Sequence, residues 1–76
     1  MVEVFKTDVT SQEHANMLLS RIHDTLTDHI ANFDLEDCDN ILRVKCSSGP
    51  VRMACLVNLL AESGFHAEAL PDEIPL

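Results

Sequence analysis

The chain opens on a two-residue alternation. In VEVFKTDV, Val2 and Val4 fall on one side and Glu3, Phe5, Thr7 and Val9 on the other, and the β-branched and aromatic content predicts a strand over residues 2–9. The period then changes. Ala15, Leu18, Leu19, Ile22 and Leu26 recur at i, i+3, i+4, i+7 and i+11, the apolar stripe of a helix. Thr10, with Glu13 three residues on, has the spacing of a capping box and predicts where that helix begins.

Alternation returns twice. HIANFDL, residues 29–35, sets Ala31, Phe33 and Leu35 on one face, and ILRVKC, residues 41–46, sets Leu42, Val44 and Cys46 on one face. Between them EDCDN, residues 36–40, is a polar turn-forming cluster, so the two strands are expected to pair as an antiparallel hairpin. Ser47, Ser48, Gly49 and Pro50 then predict a helix start, with Ser48 or Gly49 as N-cap and Pro50 in the first helical position. Over residues 51–63, Met53, Leu56, Val57, Leu60 and Ala61 cluster on a helical wheel, opposite Arg52, Cys55, Asn58 and Glu62. Gly64 suits a left-handed helix cap, and residues 65–70 read as a short last strand.

The order strand, helix, strand, strand, helix, strand predicts an α+β fold. Specifically, it predicts a two-layer ferredoxin-like sandwich, βαββαβ, with a four-stranded antiparallel sheet and both helices on one face. Right-handed crossovers place the first strand beside the third, and the fourth at the first strand's other edge. Residues 1–70 form the single expected domain, and residues 71–76 an expected flexible acidic C-terminal tail.

Composition narrows the function. A domain of 76 residues buries only about 60% of its unfolded surface, which leaves little core for an enclosed catalytic cavity. The formal net charge of −8 repels phosphate, so nucleic acid and anionic membranes are not expected partners, whereas a basic protein or a cation is attracted. No apolar run of about 18 residues and no basic-then-apolar leader pattern is present, and the expectation is a cytoplasmic protein. Cys38, Cys46 and Cys55 are odd in number and lack a C-x-x-C, the pattern of reduced thiols rather than of a disulfide framework or zinc finger.

On Ile30, Phe33 and Leu35, on Leu42 and Val44, on Gly64-Phe65 and on the element order, the chain resembles the heavy-metal-associated (HMA) domains over residues 2–70. These are small copper and zinc carriers and modules of metal-pumping ATPases. The family's signature, M-x-C-x-x-C at the first strand–helix junction, clamps a soft cation between two thiolates. Here the methionine position holds Val9, and the two cysteine positions hold Ser11 and His14. A neutral hydroxyl is a poor ligand for a soft cation, so the resemblance implies a non-enzymatic binding or interaction module that has lost soft-metal transfer.

His14 keeps one chemistry open. Imidazole is a competent ligand, and antiparallel pairing of the first and fourth strands brings the 9–14 junction near the 64–66 turn. His14 with His66, or with a ligand from a partner, is therefore the alternative metal site, for weak zinc, copper or nickel binding. Both histidines are otherwise solvated surface residues, and no resident cofactor is expected. His23 and His29 read as surface residues on the first helix and at a strand start, with Asp24 or Asp28 beside them. Glu36, Asp37 and Asp39 around Cys38 lack the D-x-D-x-D-G spacing of a calcium loop. Cys46 reads as a small core residue and Cys55 as a helix residue with no histidine at helical spacing to activate it, so no catalytic pair is indicated. The exposed edges, the second and fourth strands, also suit homodimerisation. A small-molecule regulatory domain of the ACT type shares the element order and stands as a second alternative, but it would want a glycine-bearing turn after the first strand, which residues 8–11 lack.

Overall fold

The computed structural model describes residues 2–36 and 40–70. The expected acidic turn at Asp37, Cys38 and Asp39 and the expected tail over residues 71–76 lie outside the described residues. The chain runs β1 (Val2–Thr7), α1 (Gln12–Thr25), β2 (His29–Asp34), β3 (Ile41–Cys46), α2 (Met53–Glu62) and β4 (Ala67–Ala69). The fold is α+β, with two helices and one four-stranded sheet in the order β2-β3-β1-β4, every pairing antiparallel.

The alternation read from the sequence becomes an inner and an outer sheet face. Phe5, Leu42 and Val44 point inward and are fully buried, with Ala31, Cys46 and Ala67 beside them. Leu18 and Ile22 of α1 and Leu56 and Leu60 of α2 close over that face in a single core. Each of these large side chains contributes about 1.5–3 kcal/mol by leaving water. The α2 stripe differs from the wheel reading, because Leu59 is buried and Ala61 is exposed. Cys55 is half-buried rather than on the polar side.

The helix ends divide into expected and unexpected. Ser11, not Thr10, caps α1, its hydroxyl accepting from the backbone N–H groups of Glu13 and His14 at 3.2 and 3.4 Å. Gly64 ends α2 with φ +90° in a Schellman turn: its N–H donates to Ala61 O at 3.0 Å and that of Phe65 to Leu60 O at 2.9 Å. The start of α2 departs most. Helix begins at Met53, three residues after Pro50, and Arg52 at its N-cap position makes no side-chain capping bond.

Thr7 ties the hairpin to β1. Its buried hydroxyl donates to Asn40 O at 2.6 Å and accepts from Val9 N–H at 3.2 Å. Together with the β1–β4 ladder, this fixes the 9–14 junction at one end of the sheet. The α1–β2 and β3–α2 connections lie at the other end.

Candidate functional site

At the junction end, residues from two connections meet as expected. Asp8 N–H donates to His66 O at 3.3 Å, and His66 N–H donates to Asp8 Oδ1 at 2.8 Å. The His14 ring packs on Phe65 with centroids 5.2 Å apart and planes tilted by 55°. His14 and His66 are both exposed, and neither belongs to a cluster of three metal-competent side chains among the described residues. Ser11 serves as the helix cap, so its hydroxyl has a folding role here.

The opposite end carries the denser chemistry. Strand register pairs His29 directly with Cys46, the first residue of β2 against the last of β3. Since His29, Ala31 and Phe33 share a parity, the imidazole points into the core side, and it is only 3% exposed rather than solvated. Cys46 beside it is equally buried, at 3%. The half-exposed Asp28 precedes His29 and closes the group from the surface.

Both imidazole nitrogens are engaged. Nε2 accepts the backbone N–H of Arg52 at 3.1 Å, and Nδ1 lies 2.8 Å from Asp28 Oδ1. A nitrogen that faces an N–H donor must present its lone pair, so in this arrangement Nδ1 carries the proton and donates to Asp28. Asp28 reaches further with its second oxygen. Oδ2 accepts from the Ser48 hydroxyl, and the Cys46 thiol points toward it with Sγ at 3.8 Å. Ser48 Oγ is also 3.7 Å from that sulfur.

Electrostatics follow from these bonds. The Ser48 hydroxyl, and after it the His29 ring, hold the Asp28 carboxyl at about 2, below the ordinary carboxylate value. The same bonds explain the displaced start of α2. Ser48, one of the two expected N-caps, is directed to Asp28, and the N–H of Arg52 is satisfied by a side chain from β2. A tertiary partner has taken the place of a local cap.

A cavity of about 630 Å³ lies at this cluster, lined by Asp28, His29, Cys46 and the 48–55 segment. Nucleophilic chemistry does not fit it. Cys46 would need a free imidazole nitrogen as base, and both nitrogens of His29 already have partners. Metal ligation fits better, since one ligand atom each from Asp28, His29 and Cys46 lies within 4.8 Å of the others.

His23 also has a structural partner. From the exposed side of α1 its Nε2 accepts Ala31 N–H at 3.1 Å, occupying one donor on the outer edge of β2. Register parity was the signal for His29: a strand with Ala31 and Phe33 inward carries residue 29 inward too. No helix among the described residues is long and apolar enough to cross a membrane. Comparison of the chain with family models, with curated proteins and with solved structures found no match.

Proposed function

We propose that this chain is a non-enzymatic, cytoplasmic binding module on a ferredoxin-like frame of the heavy-metal-associated kind, without the soft-metal transfer chemistry of that family. The strand order β2-β3-β1-β4 and the two crossover helices support the frame. The observation that carries the functional reading is Ser11. At the position of the family's first thiolate stands a hydroxyl that accepts two backbone N–H groups of α1. It is a neutral oxygen engaged in capping, and a soft cation gains little from it.

Binding is then a matter of surface. Glu13, Asp24 and Glu62 on the helices are exposed, in keeping with the net charge of −8, and suit a basic protein partner. The outer sheet face has the opposite character. Three of the five basic residues, Lys6, Arg43 and Lys45, lie there with exposed Val2 and Ile30, and Lys45 is paired with both of those apolar residues. Of the two sheet edges, β4 is short and β2 has one N–H occupied by His23, which makes edge pairing the weaker route to a homodimer.

Titration of the reduced protein with Cu(I) against a competing chelator tests the loss of transfer chemistry. Copper should stay with the chelator, and a His14→Ala variant should behave identically. Tight stoichiometric copper binding that vanishes in His14→Ala would overturn the reading.

A further inference from the structure

We propose that Asp28, His29 Nδ1 and Cys46 form a binding site for a borderline divalent cation such as zinc, at the end of the domain opposite the 9–14 junction, and that occupancy of this site is coupled to the first turn of α2.

The donor set is mixed oxygen, nitrogen and sulfur, suited to zinc or cobalt rather than to calcium or magnesium. The three ligand atoms lie within 4.8 Å of one another, and a tetrahedral ion would draw them closer. With metal–ligand bonds of about 2.0 Å to oxygen and nitrogen and about 2.3 Å to sulfur, neighbouring ligand atoms stand about 3.3 to 3.5 Å apart. Asp28 Oδ1 and His29 Nδ1 are 2.8 Å apart and would open by roughly half an ångström, the gap a shared proton now bridges. Cys46 Sγ faces the other carboxylate oxygen, Oδ2, at 3.8 Å, so a single Asp28 oxygen serves both partners once the carboxylate turns. The rigid parts of the site come from the sheet, because His29 and Cys46 are register partners, and the adjustable part is the half-exposed Asp28. Ser48 or a water from the cavity is available for the fourth position.

The coupling follows from the imidazole. A cation on Nδ1 displaces the proton there, and a neutral ring must then carry its proton on Nε2. That nitrogen now accepts the N–H of Arg52, so the metal-bound tautomer sets two N–H groups against each other. Arg52 must move away, and the start of α2, which has no side-chain cap of its own, moves with it. The proton balance is simple: Asp28 is already ionised, the imidazole keeps one proton, and Cys46 releases one as it becomes the thiolate. Binding therefore switches the network from a helix-holding form to a metal-holding form.

The test is a Co(II) titration of the reduced full chain, read by thiolate-to-cobalt charge-transfer absorption and by the Arg52 amide signal in NMR. The expected result is saturable absorption at one equivalent, displaced by Zn(II), with the Arg52 signal shifting in step. Absorption should be lost in Cys46→Ser and kept in Cys38→Ser, Cys55→Ser and His14→Ala. Asp28→Asn, at a half-exposed position, should weaken binding at least tenfold and guards against a misfolded Cys46→Ser variant. Absence of thiolate absorption, its survival in Cys46→Ser, or unchanged affinity in Asp28→Asn would overturn the site. A stationary Arg52 amide at saturation would overturn the coupling.

Discussion

The two ends of this small sheet handle histidine in opposite ways. At the junction end, His14 and His66 stand in water, one packed on Phe65 and the other joined to Asp8 through its backbone. At the far end, His29 is buried, has a partner on each ring nitrogen and holds the start of a helix. The difference comes from register, not from residue type. An imidazole at an exposed turn can be changed with little consequence, whereas one that faces the core must have both nitrogens satisfied or the fold loses stability.

Mutations at the two ends should therefore differ in cost. The largest effect is expected from His29→Ala, which strands the Arg52 N–H and removes a buried side chain, for a loss of about 2–4 kcal/mol. His14→Ala should stay within about 0.5 kcal/mol, and urea denaturation of both would show the contrast or break it. Next is Gly64→Ala. No atom lies near the position of the added methyl, so the cost is conformational, about 1–2 kcal/mol for a left-handed residue. Ser11→Ala should lose about 1 kcal/mol with the α1 cap, measured in the same way.

Acid unfolding sharpens the comparison further. The Asp28 carboxyl is lowered in the folded state, so between the unfolded value near 4 and the folded value of about 2 the unfolded chain binds more protons. Its stabilisation is complete above that window and is lost as the pH falls through it. Asp28→Asn should flatten the dependence of the urea midpoint on pH across this window. The surface Arg43–Asp34 pair at 3.5 Å belongs with His14 at the small end, and Arg43→Ala should likewise stay within about 0.5 kcal/mol.

Much of the fold was legible because it rests on local periodicity. The stripe of Ala15, Leu18 and Ile22, the inward parity of Leu42 and Val44, and the Gly64 cap are each fixed within a few residues and reappear in the structure. The beginning of α2 was not legible. Ser48 and Pro50 carry sound local signals for a helix start, and those signals lose to Asp28, some 20 residues earlier, which takes the Ser48 hydroxyl. Thr10 and Ser11 are neighbours with the same capping chemistry, and only backbone geometry chooses between them. The Asp28–His29–Cys46 group has no linear signature, because it exists only once hairpin register sets residue 29 against residue 46. His29 reads as a surface residue although the parity of Ala31 and Phe33 points it inward, and its partners Cys46 and Arg52 come from two other segments.

The central claim is that a buried, fully engaged His29 organises the end of the domain away from the junction. Long-range ¹H–¹⁵N spectra of the imidazoles in the metal-free protein test it directly. The expected result is a His29 ring with its proton on Nδ1, with Nε2 acting as acceptor and a scalar coupling from that nitrogen to the Arg52 amide, while His14 and His66 exchange as solvated rings. A His29 protonated on Nε2, or one exchanging with solvent as freely as His14, would contradict it.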